Sequence, residues 1–211
     1  MITQPFPLID ERRAVNRTTT STVDAIILAG GQGARLGGRD KGLVDWEGRA
    51  LIAHVIDRIA PQVASIVISA NRNLLDYGQF GYPVYPDSRT GFNGPLAGIE
   101  ACASHCSNPF TLIVACDTPK LPLTLVRDLK KTLDTFKVNA TYATDERPHY
   151  LPCLVRTQYL TDISVQLNNS NGSVKGWLKG LGERATPFEN CQAFVNMNYV
   201  PGSAAKPPPE K

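Results

Sequence analysis

Apolar positions along this chain fall into two alternating textures. Residues 25–29 form a short, nearly unbroken apolar run, and residues 65–70 and 110–115 repeat it, the pattern of strands buried inside a sheet. Between the first two runs, Leu51, Ile52, Val55, Ile56 and Ile59 recur at helical spacing and stop before Pro61. Residues 95–105 predict a second helix, with Pro95 in the first turn, where its missing N–H would have been unpaired anyway. A third helix is predicted over residues 123–135. Further on, the pattern weakens to short strands at residues 140–143 and 154–155 and helices near 157–166 and 174–181. Strands separated by helical segments define an α/β class with a mostly parallel central sheet flanked by helices. No repeat or linker interrupts this pattern, which predicts one domain over residues 23–200. Residues 1–22 show neither period and read as a flexible leader. Residues 201–211, with Pro207, Pro208 and Pro209, read as a disordered tail.

Composition narrows the function by exclusion. At 211 residues the chain can bury a sizeable core, and a net charge of +3 permits an anionic substrate without demanding one. There is no basic run interleaved with aromatic residues, so no nucleic-acid platform is expected. No apolar stretch approaches the length of about 20 residues that spans a bilayer, and the N-terminus lacks the pattern of a secretory signal. Five cysteines are an odd number in a chain too large to need disulfide staples, and reduced thiols in the cytoplasm are the simplest expectation. Cys102, His105 and Cys106 have helical spacing that would let two thiols and an imidazole meet a zinc ion, yet no fourth ligand is evident and inert buried side chains are the simpler reading. His54, inside an apolar helix, reads as structural.

The chemistry begins where the first apolar run ends. Gly30, Gly31, Gly33, Gly37 and Gly38 crowd one loop, with Arg35 inside it and Lys41 just beyond. Glycine lets a backbone approach an anion closely, and successive N–H groups in such a turn form an anion-binding concavity. A surface turn would need neither so many glycines nor cations so near, so the loop reads as a phosphate or nucleotide site. It is not a P-loop, because Arg39 and Asp40 follow Gly38 where Lys and Ser or Thr are required. Nor is it a dinucleotide fingerprint, because Leu36 occupies the third glycine position. In parallel sheets ligands sit beyond the carboxyl ends of strands. The glycine loop follows one predicted strand, Asn71 a second and Asp117 a third, so these motifs converge on one sheet edge. Asp117 suits a hard cation such as magnesium, although a helix cap before Leu121 would use the same residue. Lys41 and Arg35 suit a triphosphate, or else face solvent. Asp87 either meets the nucleotide or caps its own turn. The segment from Gly94 to Gly98 would present free N–H groups at a helix start.

The loop resembles L-A-G-G-x-x-x-R-[LM]-G-G-x-D-K, matched here by Leu28, Ala29, Gly30, Gly31, Arg35, Leu36, Gly37, Gly38, Asp40 and Lys41. Ser69-Ala70-Asn71-Arg72, Pro86-Asp87-Ser88, Gly94-Pro95-Leu96-Ala97-Gly98, Cys116-Asp117-Thr118-Pro119 and Phe194-Val195-Asn196-Met197-Asn198 follow in order. Together these segments resemble the molybdenum cofactor guanylyltransferases, the MobA family, over about residues 24–198. The resemblance implies a Rossmann-like nucleotidyltransferase fold and transfer of GMP from GTP to molybdenum-molybdopterin, with release of pyrophosphate. It implies nucleotide contacts from Leu28, Ala29, Gly30, Gly31, Lys41, Ser69, Asn71, Asp87 and Asp117, with Asp117 holding magnesium, or manganese in its place. Asp117, Lys41 and Arg35 are the implied catalytic residues, and His149, Asn196 and Asn198 the implied pterin contacts. Transient contacts with cofactor-delivering and molybdoenzyme-maturation proteins are also implied. The chain departs from the family pattern in two places: Tyr150 follows His149 where relatives carry proline, and Tyr199-Val200-Pro201 replaces the usual proline-led final helix. Leu28-Ala29-Gly30-Gly31 favours guanine over the L-A-A-G of cytidylyltransferase relatives. A cytidylyltransferase of the same cofactor, a sugar-1-phosphate nucleotidyltransferase and a non-catalytic nucleotide-binding regulator are the other readings.

Overall fold

The computed structural model describes residues 21–31, 40–89, 94–168, 173–189 and 191–197. Arg35, Asn198, most of the glycine loop, the predicted leader up to residue 20 and the predicted tail lie outside the described residues. The chain begins with β1 (Val23–Leu28), followed by a short hairpin of β2 (Asp45–Trp46) and β3 (Arg49–Ala50) and by α1 (Leu51–Ile59). Then come β4 (Ser65–Ser69), α2 (Leu74–Gly78), β5 (Val84–Tyr85), α3 (Pro95–Ala103), β6 (Phe110–Ala115) and α4 (Leu125–Phe136). The remainder is β7 (Ala140–Thr144), β8 (Pro148–Arg156), α5 (Ile163–Asn168), α6 (Val174–Gly180) and β9 (Glu183–Pro187).

Seven strands form one sheet in the order β5-β4-β1-β6-β8-β7-β9. Only β8 runs antiparallel to its neighbours. The period of two along each strand sorts its side chains between two cores. Ala25 and Ile27 of β1, Ile66 and Ile68 of β4, and Leu112 and Val114 of β6 pack with α1 and α4. Ile26, Val67 and Ile113, from the same strands, face α3, α5 and α6. Both faces of these strands are therefore covered, which explains their nearly continuous apolar runs. α1 buries Leu51, Ile52, Val55, Ile56 and Ile59, the five residues whose spacing predicts it.

The second half departs more from the sequence reading. β8 runs through nine residues because it is an inner strand, paired with β6 on one side and β7 on the other. β9 has the sequence Glu-Arg-Ala-Thr-Pro and no apolar alternation, as befits a polar edge strand. β2, β3 and β5 have two residues each and leave no period to read.

Candidate active site

From β1 the chain moves to β4 and β5 on one side of the sheet, then returns to place β6 on the other side of β1. The sheet thus changes direction between β1 and β6, and a crevice opens beyond their carboxyl ends. Ala29, Gly30 and Gly31 leave β1 there, and Asp117 leaves β6. The Ala29 N–H donates to the Ser69 carbonyl at 2.8 Å and the Cys116 N–H to the Leu28 carbonyl at 3.0 Å, so the three strand ends are stitched together where the loops begin.

Asp117 is 5% exposed, and the Lys41 ammonium donates to its Oδ2. Its Oδ1 is buried without a hydrogen-bond partner. A buried ionised oxygen of this kind is expensive unless something cationic or donating meets it. Among the described residues no cluster of three or more His, Cys, Asp or Glu could hold a metal. A magnesium ion would fit Asp117 only with phosphate and water oxygens completing its shell, which is the usual magnesium arrangement at nucleotide sites.

Asn71 follows β4 and pairs reciprocally with Asp87. Asn71 Nδ2 donates to Asp87 Oδ2 at 2.8 Å, and the Asp87 N–H donates to Asn71 Oδ1 at 2.8 Å. Asp87 Oδ1 is buried and has no partner. A methyl group on Gly30 would come within 3.1 Å of Asn71 Nδ2, so the glycine lets the β1 loop lie against this pair. Ser69 has a different place. It is 1% exposed, and a methyl group on Gly98 would come within 2.4 Å of its hydroxyl. Ser69 thus lies beneath α3, at the spot where Gly98 lets the helix approach the ends of β1 and β4. Gly94 precedes that helix with φ of +70°, a conformation suited to glycine, and Pro95 occupies its first turn.

The C-terminal segment reaches the same edge. The Met197 N–H donates to the Asp117 carbonyl at 2.9 Å, which brings the exposed Asn196 beside the Asp117 turn. His149, at the start of β8, lies with its ring centroid 5.0 Å from that of Phe194 in this segment. Its Nε2 is 2.9 Å from Asp145 Oδ1 but lacks hydrogen-bond alignment. Burial acts to raise the Asp145 pKa, yet the Arg147 amide and His149 outweigh it, and the net shift is downward. An open cleft of about 790 Å³ borders this region, lined by Trp46, His54, Pro119, Lys120, Phe188 and Ala193 among others, but not by Lys41 or Asp117. His54 is structural: its Nε2 meets the Trp46 carbonyl at 2.9 Å.

The cysteine and histidine triplet does not assemble a zinc site. Cys102 and Cys106 are buried, whereas the exposed His105 stacks on Tyr85 at 3.7 Å. Burial pushes the Cys102 thiol up to about 12 and the Cys106 thiol to about 11, so both stay protonated and inert.

A mostly parallel sheet that gathers Gly30, Gly31, the Lys41 ammonium and the Asp117 carboxylate at its switch point has the makings of a nucleotide site. Residues 25–185 match the MobA-like NTP transferase domain, and the chain belongs to that family. The molybdenum cofactor guanylyltransferase of Mannheimia succiniciproducens is 39% identical over 183 residues, covering 86% of this chain and 96% of its own. That of Haemophilus influenzae is 41% identical over 183 residues, covering 86% and 95%. Among solved structures, molybdopterin-guanine dinucleotide biosynthesis protein A from Archaeoglobus fulgidus shares the fold with a TM-score of 0.63. The two are 20% identical, over 78% of this chain and 83% of that one.

Proposed function

We propose that this protein transfers GMP from GTP to molybdenum-molybdopterin, forming the guanine dinucleotide and releasing pyrophosphate. The observation that supports this reading is the Lys41–Asp117 pair at the sheet switch point, with one Asp117 oxygen bare and buried. The acceptor's terminal phosphate oxygen attacks the α-phosphorus of GTP, and the bond to the β-phosphate oxygen breaks in line with the attack. A phosphate monoester is ionised near neutral pH, so the chain needs no general base. Positioning and charge stabilisation are the protein's contribution.

In this reading, Asp117 holds magnesium, which when bound neutralises charge on the phosphate oxygens. Lys41 meets the charge that grows on the departing pyrophosphate. The backbone from Leu28 to Gly31 and the Asn71–Asp87 pair receive the nucleoside, and the backbone's hydrogen-bonding groups suit guanine's N–H donors and O6 acceptor. Asn196, beside the Asp117 turn, and His149, packed on Phe194 of the same segment, face the pterin. The reaction takes place in the cytoplasm, where the thiols remain reduced.

The direct test is kcat/KM for GTP, CTP and ATP with molybdopterin acceptor, together with identification of the dinucleotide formed. GTP is expected to exceed the other two by roughly 100-fold or more, because buried polar groups left unpaired against the wrong base cost affinity. Gly30→Ala, which presses on Asn71, should narrow that preference by on the order of tenfold while leaving the fold intact. Equal use of CTP and GTP by the wild type would refute the guanine assignment and leave the nucleotidyltransferase class standing.

A further inference from the structure

A buried network lies directly behind Lys41. Asp40 is 9% exposed and sits at its centre. The Tyr77 hydroxyl donates to Asp40 Oδ1 at 2.5 Å, Asn73 Nδ2 donates to Oδ2 at 3.0 Å, and Arg72 Nε lies 3.6 Å from Oδ2. Tyr77 is fully buried. Its hydroxyl also packs against Gly42: a methyl group there would come within 2.5 Å of the oxygen. One phenol oxygen thus bonds the residue before Lys41 and fills the space beside the residue after it. Between them the backbone turns tightly, with the Leu43 N–H donating to the Asp40 carbonyl at 3.1 Å and the Val44 N–H to the Lys41 carbonyl at 3.3 Å. From this turn the Lys41 side chain reaches Asp117, 76 residues away in sequence.

We propose that Tyr77, acting through Asp40 and against Gly42, is a positioning residue that aims Lys41 at the phosphate-transfer centre. The proposal rests on the role assigned to Lys41 above. A tyrosine needed only for packing would use its ring, and phenylalanine would fill the same space. Here it is the hydroxyl that meets Asp40, and glycine at position 42 makes room for that oxygen. Burial, with Cys116 and Asp40 nearby, pushes the Tyr77 phenol well above its ordinary 10.0, so it remains a donor. A lysine on a four-carbon stem has many rotamers, and a fixed backbone origin restricts where its ammonium can go. Misplacing a charge that acts mainly in the transition state lowers kcat more than it raises KM.

The test is a double-mutant cycle in the full chain with Tyr77→Phe, Lys41→Ala and the double variant. For each, kcat and KM for GTP are measured with molybdopterin acceptor, and Tm is recorded separately. Tyr77→Phe should lower kcat about tenfold and change KM less than about threefold. In the Lys41→Ala background it should cost no more than about twofold further, because its effect runs through the lysine. Wild-type kcat in Tyr77→Phe, whatever its Tm, would overturn the proposal, and so would losses that multiply in the double variant. Wild-type activity in Lys41→Ala would instead sink the underlying role of Lys41. If Tyr77→Phe does not fold, Gly42→Ala displaces the same hydroxyl and enters the same cycle. A kcat loss that vanishes in the Lys41→Ala background supports the proposal, and an unchanged kcat overturns it.

Discussion

At the scale of single residues, the candidate site presents two carboxylates whose surroundings leave one oxygen each without a partner. Asp117 gives Oδ2 to Lys41 and leaves Oδ1 bare, and Asp87 gives Oδ2 to Asn71 and leaves Oδ1 bare. Structural carboxylates in the same protein look different. Asp24 accepts four hydrogen bonds and has no oxygen to spare. Asp117→Asn keeps the shape and a hydrogen-bond acceptor but removes the charge. It should lower kcat/KM by on the order of a thousandfold while the protein still melts within about 5 °C of wild type. Near wild-type turnover by folded Asp117→Asn, measured across a magnesium titration, would return Asp117 to a capping role. Asp117 and Lys41 were legible in sequence because each sits in a short motif of distinctive composition. Tyr77 was not: it looks like any core aromatic until its hydroxyl is seen on Asp40.

At the scale of elements, the two edges of the sheet divide the work. The carboxyl edge holds the site, whereas the amino edge is tied down by Asp24 at the start of β1. Asp24 Oδ1 accepts from Ser65 Oγ of β4 at 2.6 Å and from Asn108 Nδ2 at 2.7 Å. Its Oδ2 accepts from the N–H groups of Ser107 and Asn108 at 2.8 and 2.7 Å, in the turn before β6. Three parallel strands are thereby registered at one point. Burial acts to raise the Asp24 pKa, but the bonds from Ser65, Asn108 and Ser107 outweigh it, and the pKa falls below its ordinary 3.8. A carboxyl whose pKa is lower in the folded state contributes its stability in full above the unfolded value. That contribution is lost as pH falls from 3.8 through the folded value. Asp24→Ala leaves two backbone donors unpaired and should cost about 3 kcal/mol at neutral pH. Urea midpoints should show the gap between wild type and variant closing at acid pH. A gap unchanged between pH 6 and pH 2.5 would show that the Asp24 charge contributes nothing.

At the scale of the whole molecule, the last described segment closes the active edge from the far side. Ala193 and Phe194 are buried in the core beneath α1 and α4. Phe194 meets Phe188, which follows β9, at 5.2 Å, and His149 at 5.0 Å. Three residues further on, Met197 bonds the Asp117 turn. Core packing and the position of Asp117 are thus coupled through a short stretch of chain. Phe194→Ala should cost about 3–5 kcal/mol of stability. It should also lower kcat at a temperature where the variant is fully folded, since the tether to Asp117 loosens. Wild-type kcat in the folded variant would show that the segment merely fills the core. In the described residues no helix is long and apolar enough to cross a membrane.

What the sequence determined by itself was whatever local pattern can encode. β1, β4 and β6 were readable because strands covered on both faces must be apolar throughout, and α1 because one buried stripe imposes its period. The loops that follow those strands are readable as neighbours in a candidate site because parallel strands bring their carboxyl ends to one edge. Only the tertiary structure decided the rest. It inserted β8 antiparallel between β6 and β7, added β9 as a polar edge strand, and buried Ser69 beneath Gly98. It also set Tyr77 behind Asp40, 37 residues away, and Met197 on the Asp117 carbonyl. These contacts join residues far apart in the chain. Whether a hydroxyl or an amide finds its partner there depends on how the strands and helices pack, and no local period records that.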